Sequence, residues 1–406
     1  MSNEVMKQRA GILAGNVALW GDPNVVVTSD DPSAFAALPG FFDIIVADVP
    51  CSGEGMFRKD EEAQRQWSED NVALCAARQK RIVADVWPAL ATGGVFVYST
   101  CTFNRYENDG NVRWIEDELG AVALFRDDAL SPGNGIIKTE LGYSLVPGHV
   151  EGEGQYCSAL RKTSDVEWRE VRSRGMKPGK ASPVPKGLKL PVNREVTVRM
   201  KGDTVTIVPV ALSADIMQLE SYLHVLAAGC AVGVMKGDTL VPDADLALSI
   251  ILDTDAYPSA ELDRNKALAY LHRDAIVLQD SPKGFILVRY EGLPLGFVKN
   301  LGNRCNNLHP QSRRIRMDIN RWKGYEEICH CSFAAVAQTV IYAQSESERY
   351  AQRYDMLVSK LGPAGLGIET VLNNWEKVDS TNAKLLLGRF SYLFTKAQSA
   401  EVVSRP

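Results

Sequence analysis

The chain has 406 residues, 45% hydrophobic and 23% charged, with a formal net charge of −5. That balance belongs to folded globular proteins, allows two or three domains, and excludes a chain that coats nucleic acid through net positive charge. Eight cysteines are too sparse for a disulfide scaffold and suit a reducing compartment. The opening residues lack the basic-then-apolar pattern of a signal peptide, and no apolar run reaches the ~18 residues of a membrane helix. A cytoplasmic location without membrane contact is expected.

In chain order, EVMKQRAGILAGNVALWG has helical periodicity and Gly21 as its stop. NVVVTSDD predicts a short strand and FDIIVADVP a fully buried one. EEAQRQWSEDNVALCAARQKRIVADVWPAL is predicted helical over most of its length. ATGG follows as a turn, VFVYSTC as another buried strand, and RYENDGNVRWIEDELG as a helix. Buried strands alternating with helices predict an α/β, doubly wound parallel sheet over residues 1–160, in which ligands sit beyond the carboxyl ends of the strands. Residues 161–189 read as a basic linker, with three prolines and nine Lys/Arg against three Asp/Glu. A solvated connector is the simpler reading, a strap along a polyanion the alternative.

Residues 190–320 mix short strands and helices, an α+β pattern. A hairpin is predicted at Gly202-Asp203, an amphipathic helix over ADIMQLESYLHVLAAG, and strands over GFILVRYEGLPLGFVKNLGNRCNN. Lys299, Arg304, Arg313, Arg314 and Arg316 give this region a positive end. Residues 321–406 read as a helical tail.

Two cysteines stand apart from the others. Cys51, in DIIVADVPCSGEGMFRKD, follows a strand ending at Asp48; Cys101, in GGVFVYSTCTFN, follows another, fifty positions on (101 minus 51). Thiolates are nucleophiles only in suitable surroundings, and Cys75, Cys157, Cys230 and Cys305 read more simply as small core residues. Cys329-His330-Cys331 is half a metal site without a second ligand pair, so no metal is expected. A cysteine hydrolase would need a histidine base, and all five histidines lie outside the thiol region. Two thiols beside a carboxylate suit addition to an electron-poor ring carbon followed by elimination.

DVPCSGEGMFRKD and YSTCTFN, at this spacing, closely resemble the paired signatures of RNA cytosine-C5 methyltransferases, the bacterial ribosomal RNA (RsmF-like) group in particular. GLPLGFVKNLGNRCNNLHP resembles that family's C-terminal RNA-binding region, which is related to the PUA fold. The resemblance runs from residue 1 to about 316. It implies a Rossmann-like methyltransferase domain, S-adenosyl-L-methionine as cofactor, and ribosomal RNA of the small subunit (16S) as substrate and partner. Cys101 would add to C6 of cytosine, Cys51 would assist release of the product, and Asp48 would hold the base edge beside the cofactor. The base must leave its stack to reach them. Glu4 would bind the cofactor's ribose and Asp31 its adenine. The family's Gly-rich first motif is not found, so the expectation is an incomplete domain with weak cofactor binding and little activity. The alternatives are an RNA-binding remnant without catalysis and, more remotely, a cysteine hydrolase.

Overall fold

The structure is a computed structural model that describes residues 1–124, 135–150, 153–165 and 188–316. These form two compact units divided between Asp30 and Asp31: residues 31–165 make one, and residues 1–30 join 188–316 in the other.

The unit carrying both candidate thiols is a mixed sheet with helices against it. Its elements are β1 (Phe42–Asp48), α1 (Glu61–Gln66), α2 (Glu69–Val86), β2 (Leu90–Thr100), α3 (Asp109–Leu119), β3 (Ala121–Ala123), β4 (Ile136–Lys138), β5 (Tyr143–Leu145) and β6 (Gln155–Lys162). The strand order is β1-β2-β6-β5-β4, with β3 also pairing β6. Only β1/β2 is parallel; the other pairs are antiparallel. Val83, Trp87, Phe96, Tyr98, Ile115, Tyr156 and Leu160 form the core. In α2 the buried Val72, Cys75, Gln79 and Val83 recur at helical spacing and turn one face inward.

Four expectations change here. The sheet expected to be parallel is mixed, because β6 runs antiparallel beside β2 and the sheet continues into antiparallel β5 and β4. The long helix breaks at Trp67-Ser68, because extended Ser68 starts a new helix by accepting from Asn71 N–H at 3.1 Å. ATGG is no turn but part of β2. Gly93, at φ +78°, accommodates a register shift against Phe42–Ile44, so the turn signal becomes a bulge. β1 is only partly buried, since it is the end strand of its sheet, whereas β2 is buried from Gly94's neighbour Val95 to Thr100.

In the second unit Lys7–Trp20 is helical, and Gly21 stops it at φ +74°. Val26–Thr28 pairs in parallel with Ser2–Asn3 and antiparallel with Val225–Ala228. The helix expected through Gly229 ends at Tyr222: the apolar run after it is short, and its backbone groups are satisfied by Val26–Thr28 instead. Val196–Lys201 and Thr204–Pro209 form the hairpin expected at Gly202-Asp203, with Gly202 at φ +58°. They belong to one four-stranded sheet, and Ser259–Glu261, Gly284–Tyr290, Leu293–Asn300 and Cys305–Asn307 form another. Arg161 and Lys162, read as linker, end β6; most of the linker, the helical tail and Cys329-His330-Cys331 lie outside the described residues.

Candidate functional site

A parallel strand pair brings the two thiols together. With Asp48 opposite Ser99, the chain leaves β1 and β2 at the same edge of the sheet. Val49 N–H donates to Ser99 O at 3.1 Å, carrying the ladder one residue past β1. Pro50 has no N–H to continue it, and the chain turns through Cys51-Ser52-Gly53, with Gly53 at φ +82°. Gly55 N–H then donates to Cys101 O at 2.8 Å; a Cβ there would stand 2.6 Å from that oxygen, so glycine alone fits. The result is a Cys51 Sγ to Cys101 Sγ separation of 3.1 Å, both residues being half-buried.

The pair is electrically unequal. The hydrogen bond from the Cys51 thiol holds the Cys101 pKa below its ordinary 9.0, against opposition from burial and the charges of Asp48 and Glu107. The same bond pushes Cys51 far upward, aided by burial and the charge on Cys101. Of the two, Cys101 is therefore the sulfur that ionises first, with Cys51 then donating to it.

Beneath the sulfurs runs a buried polar network. The Glu107 carboxylate, with no exposed surface, accepts from Ser52 N–H at 3.1 Å, Gln79 Nε2 at 2.6 Å and Asn104 Nδ2 at 2.7 Å. Gln79 Nε2 also donates to Pro50 O at 2.9 Å. On the other loop, Glu54 Oε2 accepts from Phe103 N–H at 2.6 Å and Asn104 N–H at 3.0 Å. Thr100 Oγ1 donates to Asn108 Oδ1 at 2.6 Å, and Asn108 Nδ2 to Thr102 O at 3.0 Å. The sequence reading passed over Glu54, Gln79, Asn104 and Glu107. Polar residues at buried helical positions, Gln79 on the inner face of α2 above all, were the available signal.

Of the sequence-predicted site residues, Asp48, Cys51 and Cys101 gather at these strand ends. Asp48 is exposed and accepts from Ser99 Oγ at 3.4 Å. Asp31 caps a short 3-10 helix, Oδ1 accepting from Ser33 N–H at 3.1 Å and Ser33 Oγ at 2.7 Å; these bonds lower its pKa. Glu4 belongs to the other unit, where it accepts from Met6 N–H at 3.0 Å and pairs with Arg9 at 3.1 Å. Cys75, Cys230 and Cys305 are buried and Cys157 half-buried; burial pushes Cys157 up to about 11 and Cys230 up to about 12. Neither Cys51 nor Cys101 has a histidine partner among the described residues; each has the other. No group of His, Cys, Asp and Glu among those residues could hold a metal ion, and no helix there is long and apolar enough to cross a membrane. In the second unit Lys299, Arg304, Arg314 and Arg316 are exposed, whereas Arg313 is tied to Asp245 at 2.6 Å.

Comparison with known proteins finds two matching domain families. Residues 1–161 match the family model 16S rRNA methyltransferase RsmB/F, and residues 257–315 match the Methyltransferase RsmF PUA domain. A ribosomal RNA small subunit methyltransferase F of Cronobacter sakazakii is 42% identical over 170 residues, 41% of this chain and 35% of that protein. The protein of the same name from Escherichia coli O157:H7 is 30% identical over 328 residues, 77% of this chain and 67% of that protein. The chain thus spans about a third of the first relative's length and two thirds of the second's. A solved structure of NSun6 from Pyrococcus horikoshii is 25% identical, with a TM-score of 0.33, over 40% of this chain and 41% of that one. On the two domain matches and the long alignment to the Escherichia coli protein, the chain belongs to the RsmB/F family of 16S rRNA methyltransferases.

Proposed function

We propose that the protein methylates C5 of a cytosine in small-subunit ribosomal RNA, using S-adenosyl-L-methionine and a covalent bond between Cys101 and C6. The observation that carries this reading is the 3.1 Å sulfur pair at the strand ends where Asp48 also lies. The family membership and the relatives' names support the substrate class. Residues 1–160 would supply the methyltransferase part and 190–320 the RNA-holding part, in the cytoplasm.

C5 of cytosine is a poor nucleophile. Addition of the Cys101 thiolate to C6 moves an electron pair toward C5, while the Asp48 carboxylate accepts from the exocyclic N4 amino group and holds the base edge in place. S-adenosyl-L-methionine, when bound, supplies the methyl group. Cys51 serves the release step. Once Cys101 is consumed in a C–S bond, the hydrogen bond to its thiolate and its charge, two of the causes that raise the Cys51 pKa, are gone. Cys51 then gives up its own proton to water more readily and, as thiolate, takes the C5 proton. The C6–S bond breaks, the C5–C6 double bond returns, and Cys101 leaves as thiolate.

For the cofactor, carboxylates suit its donors: within the unit that carries both thiols, Asp31 would accept from the adenine amino group, with Asp48 on the methionine side. Asp31 uses one oxygen, Oδ1, for its cap, and Oδ2 suits an amino group.

The test is transfer of labelled methyl groups from S-adenosyl-L-methionine to small-subunit ribosomal RNA, with nucleoside analysis. Label in 5-methylcytidine that vanishes in Cys101→Ala is expected. Cys51→Ala should accumulate an RNA adduct that survives denaturing electrophoresis, and Cys101→Ala should form none. Tight RNA binding without transfer would replace this reading with that of an RNA-binding protein.

A further inference from the structure

We propose that Glu107 is a positioning residue, whose buried carboxylate sets the spacing of Cys51 and Cys101 by holding both of their loops. The inference rests on the reading of the two thiols as a working pair, and it adds a residue outside the reacting atoms. Oε2 of Glu107 accepts from Ser52 N–H at 3.1 Å and Gln79 Nε2 at 2.6 Å, and Oε1 accepts from Asn104 Nδ2 at 2.7 Å. Because Gln79 also holds Pro50 O at 2.9 Å, the peptides on both sides of Cys51 are fixed from one point. Asn104 stands three residues after Cys101; its Nδ2 also reaches Thr102 Oγ1 at 3.0 Å, and its Oδ1 accepts from Glu107 N–H at 2.9 Å. Thr102 Oγ1 and Ser52 Oγ, each next to one of the cysteines, lie 3.0 Å apart and close the ring.

The chemistry demands a carboxylate. All three groups facing it are N–H donors, and an ionised carboxylate only accepts. A glutamine of the same size would turn an NH2 toward one of these donors. Backbone and amide donors packed around a charge hold it in a narrow range of geometry, since every one of these bonds is charge-assisted. The apolar core of this unit rests on other side chains, among them Trp87, Phe96, Ile115 and Leu160.

Phenylarsine oxide reads the spacing directly, because arsenic must bond both sulfurs to be retained. The chain is used at full length with Cys329→Ser and Cys331→Ser, which remove a competing cysteine pair from the tail. This parent should retain arsenic on the peptides containing Cys51 and Cys101. Glu107→Gln, with an unchanged circular dichroism spectrum and a cooperative melt, should lose affinity by about tenfold, the effect of one charge-assisted hydrogen bond. Capture equal to the parent's would overturn the proposal. Should Glu107→Gln fail to fold, Asn104→Ala, which removes the donor on the Cys101 side, must show the loss, and parent-like capture there is equally fatal. Neither RNA nor cofactor enters this assay. A parent that captures arsenic but never methylates would therefore refute the proposed function and leave the role of Glu107 standing.

Discussion

The sulfurs of Cys51 and Cys101 share a hydrogen bond 3.1 Å long, and the pKa of Cys51 is pushed up and that of Cys101 down as a consequence. Alkylation by iodoacetamide follows the thiolate, so the Cys101 peptide should reach half its maximal rate below pH 9.0. Cys51→Ala removes the donor that lowers the Cys101 pKa, and should shift that profile to higher pH. Mass spectrometry of the labelled peptides across pH measures both, and coincident profiles would mean that no such bond exists in solution.

A second consequence concerns oxidation. The sulfurs need approach by only about 1 Å to reach bonding distance. Diamide, which accepts two electrons and two protons, should join Cys51 to Cys101 ahead of the buried Cys75, Cys230 and Cys305. In the chain carrying Cys329→Ser and Cys331→Ser, peptide mapping without reduction should find that single crosslink, and dithiothreitol should reverse it. A mixture of pairings would contradict the separation in the structure.

Gly55 should tolerate no side chain. Its N–H bonds to Cys101 O at 2.8 Å, and a Cβ would lie 2.6 Å from that oxygen and 3.1 Å from Glu153 O. Both atoms belong to backbone, which cannot swing aside as a side-chain end would. Gly55→Ala should cost about 1–3 kcal/mol of stability by forced displacement. It should also slow diamide crosslinking, because the loops move apart. Calorimetry and the crosslinking rate give the two readouts.

Asp31 offers a way to separate capping from cofactor binding. Its folded pKa lies below 3.8 because Ser33 hydrogen-bonds to the ionised form. The cap's contribution is therefore full above the unfolded pKa and is lost as pH falls through the lower folded value. The side chain is exposed, so the effect is small. Asp31→Asn keeps a capping oxygen and should melt within a degree or two of the parent at neutral pH, while binding S-adenosyl-L-methionine more weakly by calorimetric titration. Equal binding would leave Asp31 a cap and nothing more.

How far the sequence could be read differs from element to element. The hairpin at Gly202-Asp203 and the helix stop at Gly21 were legible because glycine at a left-handed position is a local requirement. The helix break at Ser68 was equally local, and was missed because helical periodicity on both sides outweighed one capping residue. ATGG misled in another way: glycines marked a departure from regular structure, but whether it became a turn or a bulge depended on the partner strand.

The candidate site shows the same division. Sequence alone determined that two cysteines and one aspartate lie at strand ends, because apolar β-branched runs and the residues that stop them are properties of a few neighbouring positions. Tertiary structure decided that the strands are adjacent and parallel, which turns fifty residues of separation into 3.1 Å and makes one sulfur the donor to the other. It also decided that Glu107, outwardly one more acidic residue before a helix, is buried with three N–H donors around it. Burial and hydrogen-bond partnership are relations between distant parts of a chain, and no local pattern encodes them.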